Sequence, residues 1–143
     1  MRTIYYIIFF MLFASACGTK KSTINSNQIN LCETIFQNYY LGSSKKSIRL
    51  IKNYEDYKSV FLAFRAKKIP YVDFNKSNVL VINIGENKTT VFNVEPSKLI
   101  EDNGKLILIF KEIYQPKENA ITNKICRPIS IFKINSKKEI VLK

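Results

Sequence analysis

A serine with a lysine three positions after it occurs twice in this chain, at Ser43 to Lys46 and at Ser130 to Lys133. A lysine amine beside a serine hydroxyl can take its proton, so each pair is a candidate Ser-Lys nucleophile. That chemistry needs both side chains on one side of a helical turn. Gly42-Ser43-Ser44-Lys45-Lys46 reads as a linker turn, and Ser130 falls in an apolar run that reads as a strand, where positions three apart point to opposite faces. With eleven serines and nineteen lysines in the chain, about one or two such spacings arise by chance, so both are expected to be inert. There is no histidine, which removes Ser-His-Asp and Cys-His catalysis and histidine-ligated zinc. The acidic residues show no calcium-loop spacing, and four glycines form no phosphate cradle. The expectation is a protein that is not an enzyme, with no metal and no cofactor.

The remaining chemistry belongs to cysteine. Arg2 followed by the apolar run from Ile4 to Phe13 is a positively charged start with a short hydrophobic region, too short to span a bilayer. It ends in Phe13-Ala14-Ser15-Ala16-Cys17-Gly18, which resembles the lipobox of a bacterial lipoprotein. The resemblance implies that residues 1–16 are a signal peptide and that Cys17 becomes the lipid-bearing N-terminus. Each buried methylene contributes about 0.8 kcal/mol, so several acyl chains hold such a protein on a membrane durably. Residues 17–47 are then the lipidated N-terminus and tether, with TKKSTINSNQIN polar and without periodicity. Gly18 is not the aspartate of inner-membrane retention, and no acidic cluster follows. The expected location is the cell envelope, on the outer membrane facing the periplasm, with surface exposure left open. Cys32 and Cys126 would meet an oxidising compartment, where they either pair or stay as buried thiols. A disulfide would close a loop worth about 4–5 kcal/mol by chain entropy.

The elements expected around these residues form one domain over 48–143, because 46% apolar content in 143 residues supplies a single core. Leu31 to Leu41 spaces Leu31, Ile35 and Tyr39 as a short amphipathic helix. Ser47 to Lys52 reads as a strand. Asn53 caps a helix whose stripe is Tyr54, Tyr57, Val60, Phe61 and Phe64, with Lys67 and Lys68 at its end and Pro70 beyond it. Val79 to Ile84 is apolar at both parities, as in a central strand covered on both faces. The turn residues from Gly85 to Lys88 send Thr89 to Val94 back alongside it. Pro96 interrupts, and Asn103-Gly104 marks a second tight hairpin between Lys98 to Glu101 and Lys105 to Tyr114. The polar loop Gln115 to Lys124 precedes strands at Cys126 to Ile134 and Glu139 to Leu142. This order predicts an α+β fold: a mostly antiparallel sheet or small open barrel with one main amphipathic helix packed on it. The net charge of +12 has two readings, attraction to anionic headgroups or an acidic partner surface and, favoured by the scatter of the lysines, a solvated face, and an exported protein has no nucleic-acid partner.

Tyr54-Glu55-Asp56-Tyr57, Pro70-Tyr71-Val72-Asp73-Phe74, Val79 to Gly85 and Arg127-Pro128-Ile129-Ser130-Ile131 together resemble the C-terminal domain of the protease complex subunit PrcB family. The likeness covers Ile48 to Ile134. In that family an amphipathic helix leads to a P-x-x-D-F turn, a hydrophobic strand ending in glycine, a T-G-G turn and a closing strand. Pro70, Asp73, Phe74, Gly85 and Thr89 occupy those places, while Thr90-Val91 replaces the double glycine. The resemblance implies an envelope lipoprotein that binds and stabilises a protease assembly, with Tyr71, Asp73, Phe74, Gly85 and Thr89 as candidate partner-binding residues. Each also has a structural role open to it: Asp73 capping a turn, Phe74 filling the core beneath the helix, Gly85 supplying positive φ. Two other functions remain open at this point. One is binding of envelope glycan by exposed Tyr39, Tyr40, Tyr71 or Tyr114, and the other is inhibition of a hostile hydrolase by the loop Gln115 to Lys124.

Overall fold

A computed structural model describes residues 31–86, 91–114 and 125–143. Cys17, the expected signal peptide, residues 17–30 of the expected tether, Thr89 and the segment from Gln115 to Lys124 lie outside the described residues. Among the described residues, seven strands and one helix follow in the order β1 (Cys32–Asn38), β2 (Ser47–Ile51), α1 (Tyr54–Ala63), β3 (Asn78–Asn83), β4 (Val91–Asp102), β5 (Lys105–Tyr114), β6 (Ile129–Ile134) and β7 (Glu139–Leu142). They form three layers of an α+β fold. A four-stranded antiparallel sheet in the order β1-β6-β3-β2 lies in the middle, α1 covers one face, and a three-stranded sheet in the order β4-β5-β7 covers the other.

The strand β3 shows why the middle layer is in the middle. All six of its residues are buried. Val79 and Val81 face α1, where they meet Tyr57, Val60 and Phe61. Leu80 and Ile82 face the second sheet, where Leu99, Leu106 and Leu108 close over them. A strand can be apolar at both parities only if both of its faces leave water. Its neighbour β6 follows the same rule, with Ile129 and Ile131 on the helix side and Phe132 and Ile134 on the sheet side.

Helix α1 begins where Asn53 adopts an extended conformation and its side-chain oxygen accepts from the Asp56 amide at 2.9 Å. It ends at Ala63, earlier than Lys67 and Lys68 would suggest. Arg65 takes a left-handed conformation at φ 52°, its amide donates to the Leu62 carbonyl, and the Ala66 amide reaches back to Phe61. These two bonds are the Schellman closure, here built on an arginine where glycine is usual.

Several expectations are corrected. Leu31 to Leu41 is not a helix: β1 pairs with β6 from Cys32 to Asn38, with Ile35 alone unpaired in the register. A bulge between Thr34 and Phe36 changes the side-chain phase, so Cys32 packs toward the second sheet and Ile35 and Phe36 toward α1. That phase change imitates helical spacing. The folded unit therefore starts by Leu31 and not at residue 48. Thr89 to Val94 was expected beside β3, but β3 pairs with β2 and β6, and β4 crosses to the other sheet to pair with β5. Pro96 does not interrupt β4. The strand runs through it with a register shift between Pro96 and Lys98, tolerated because β4 is an edge.

Cys32 and Cys126 are not bonded to one another. Cys32 stands opposite Ile134 at one end of the β1–β6 ladder, and Cys126 lies beyond Ile129 at the other end, next to Asn38 and Tyr39. The ladder between them is about 20 Å long at 3.3 Å per residue, well past the Cα separation of about 7 Å that a disulfide can bridge. Burial pushes the Cys32 thiol up to about 11. No helix among the described residues is long and apolar enough to cross a membrane.

Candidate functional site

The segment from Ile69 to Ser77 carries three of the five residues singled out from sequence. Pro70 cannot continue a helix, and its carbonyl accepts from the buried Tyr57 hydroxyl at 3.0 Å. Asp73 caps the following turn: its side-chain oxygen accepts from the Asn75 amide at 3.0 Å, and its carbonyl accepts from Ser77 at 2.9 Å and Lys76 at 3.1 Å. Phe74 sits edge-on to Tyr57, ring centroids 5.6 Å apart, within the cluster beneath α1. Tyr71 alone of the three is turned outward, 87% exposed.

Gly85 is not with them. It follows the opposite end of β3, about 20 Å of strand away. Its φ of +90° suits glycine, and a Cβ there would meet the Lys46 backbone nitrogen at 2.9 Å. The Glu86 amide donates to the Ser44 carbonyl, and the Asn83 side chain accepts from Ser43 and donates to Ser47. Gly85 is thus the clearance through which the chain from Ser43 to Lys46 is laid against the end of β3 and delivered into β2.

Neither Ser-Lys spacing forms a dyad. The Ser130 hydroxyl is buried and donates to the Asn93 side chain, while Lys133, on the other face of β6, pairs with Glu33 at 3.2 Å. The Ser43 hydroxyl donates to the Lys45 carbonyl. No group of His, Cys, Asp and Glu among the described residues could hold a metal ion. The tyrosines are dispersed: Tyr40 follows β1, Tyr71 precedes β3 and Tyr114 closes β5. A hollow of about 390 Å³ beside β2 is lined by Arg49, Leu50, Ile51, Asp56 and Ser59 and by no tyrosine.

Open strand edges are where this fold offers backbone hydrogen bonds to something else. The two sheets have four edge strands: β1, β2, β4 and β7. Three of them are blunted. β1 carries a bulge, β4 carries Pro96 and two register shifts, and β7 has only four residues. β2 has an unbroken register against β3, and no backbone bond beyond that ladder reaches Ser47–Ile51 among the described residues. Ile48 and Leu50 stand opposite Ile82 and Leu80, facing the second sheet, yet they are 48% and 36% exposed. The apolar face of the middle sheet extends past its cover here.

Sequence inspection identified Ser47 to Lys52 as a strand and missed it as a surface. The available signal was its alternation, Ile48 and Leu50 around Arg49, bracketed by Lys45, Lys46 and Lys52 with no acid between. Compared with known proteins, the chain matches no family model, no curated protein and no solved structure.

Proposed function

We propose that this chain is a membrane-anchored bacterial lipoprotein that performs no catalysis and binds or stabilises an envelope protein, such as the protease of a PrcB-like complex. The observation that carries the binding role is the β2 edge: a regular strand with an open ladder and half-exposed apolar residues where the other three edges are blunted. Strand addition at such an edge draws affinity from main-chain hydrogen bonds and selectivity from alternate side chains. Anchoring rests on Cys17 after the hydrophobic run, and the PrcB-like role on the motifs around Pro70 to Phe74 and Gly85. Both Ser-Lys pairs have their serine hydroxyls engaged elsewhere, which agrees with a role in holding rather than cutting.

Two measurements test this reading. Intact-mass analysis of the protein from its native host is expected to find a chain starting at Cys17 with a diacylglyceryl group. A chain retaining Met1 would overturn the anchor. Crosslinking in intact cells followed by mass spectrometry is expected to recover one specific envelope protein, and recovery of abundant porins alone would overturn the binding role.

A further inference from the structure

We infer that β2 is the docking strand for an extended acidic segment of the partner, which adds antiparallel or parallel to the open edge with a carboxylate beside Arg49 and apolar residues beside Ile48 and Leu50. This inference rests on the binding role just proposed and specifies its chemistry.

The charge pattern of the four edges selects the occupant. On β1, Glu33 pairs with Lys133 of the neighbouring strand at 3.2 Å. On β4, Glu95 pairs with Lys111 at 3.6 Å, and on β7, Glu139 pairs with Lys105 at 3.0 Å. Each of these edges presents an acid already matched by an inner lysine directly across the ladder. β2 reverses the arrangement. Its central charge is Arg49, which stands opposite Val81, and Lys45, Lys46 and Lys52 flank it. None of these four cations takes part in an ion pair among the described residues. Opposite charges across a strand pair are favourable and like charges are not. The free valence of this edge, in backbone bonds and in charge, is therefore for an acidic strand.

The same charges argue against a second copy. Antiparallel pairing of two β2 strands centred on Arg49 would set Arg49 against Arg49, and Lys46 against Lys52 at both ends. That is a like-charge register from end to end, which discourages self-pairing. The chain's own N-terminal segment is also a poor occupant, since residues 19–30 contain Lys20 and Lys21 and no acid. Side-chain direction fixes the pattern the partner must carry. Val81 faces α1, so Arg49 lies on the helix side of the sheet, while Ile48 and Leu50 lie on the other. The incoming strand alternates apolar, acidic, apolar.

The test uses the full chain in detergent and fluorescence anisotropy with three short labelled peptides. One alternates valine with glutamate, one alternates valine with lysine, and the third is the glutamate peptide methylated on alternate amide nitrogens. The glutamate peptide is expected to bind, and the other two about tenfold more weakly or not at all, given the cross-strand charge and lost ladder bonds. Arg49→Glu, at an exposed position, is expected to reverse the order of the first two peptides. Equal binding of all three, or an order unchanged by Arg49→Glu, would overturn the inference. So would sedimentation of the native chain as a dimer that the glutamate peptide dissociates, or tighter binding of a peptide spanning residues 19–30. In-cell crosslinking reads the general role separately. A specific partner recovered equally with Arg49→Glu leaves that role standing and removes this surface, whereas peptide binding with no cellular partner does the reverse.

Discussion

Gly85 and Cys32 show how single side chains, or the lack of one, fix the geometry around β2 and β1. At Gly85 the backbone occupies φ +90° and a methyl group would press on Lys46 nitrogen. Gly85→Ala is expected to cost about 1–3 kcal/mol, from strain and from displacement of the chain entering β2; a urea midpoint equal to that of the native protein would show that the contact relaxes freely. Cys32 is buried, and desolvation raises its thiol from 9.0 to about 11. The folded protein therefore holds a proton that the unfolded chain releases near pH 9. The stabilisation is complete below pH 9 and is lost as pH rises through about 11, up to about 3 kcal/mol in all. Tyr57, pushed up to about 12 by burial and by Tyr54, adds a later loss beginning above 10. Urea titrations between pH 8 and pH 11 are expected to show a falling midpoint, with the fall over pH 9–11 reduced in Cys32→Ala. Asp73 and Phe74 were legible from sequence in their structural roles, since an aspartate two residues before an amide in a turn and a phenylalanine after it have few other uses. Tyr71 was legible only as exposed.

Among elements, α1 and the β4–β5 hairpin follow from local chemistry. Asn103 and Gly104 both take positive φ, at 48° and 75°, the conformation of a two-residue hairpin turn. Asn53 caps α1 as its position before Tyr54 suggests. The helix end was misread because two lysines and a proline look like a terminus, while the actual stop is a left-handed arginine that nothing in the sequence announces. Arg65→Gly is expected to stabilise the protein by about 0.5–1 kcal/mol, because glycine takes that conformation without strain; a lower melting temperature would contradict this. β1 was misread for a comparable reason, since a bulge is invisible to periodicity. After β3, Gly85 takes the positive φ expected of it, yet turn residues specify a change of direction and not the partner strand. Which sheet receives β4 is decided by non-local burial of Leu99 against Leu80 and Ile82.

At the scale of the whole molecule, three layers are held by two separate apolar clusters that share only the middle sheet. Polar groups join the sheets at one end, where the buried Ser130 donates to the buried Asn93 side chain and the exposed Gln37 donates to the Val94 carbonyl at 3.2 Å. At the other end β7, parallel to β5, lays Ile140 and Leu142 on the sheet-side cluster, and Lys138 is bonded to Glu101. Removing residues 139–143 uncovers Leu106 and Leu108 and takes away the partly buried Ile140 and Leu142, each worth at most about 1.5–3 kcal/mol. The truncated chain is expected to melt at least about 10 °C lower by circular dichroism, given a shift of about 4–8 °C per kcal/mol for a small domain. An unchanged melting curve would mean that β7 is dispensable.

The strand order also sets a separation. β1 and β2 are the two outer strands of the middle sheet, about 14 Å apart across three strand spacings. Were Cys17 acylated as proposed, its mooring line would join the described chain just before β1, and the margin that carries Arg49 would be the berth on the far side of the sheet.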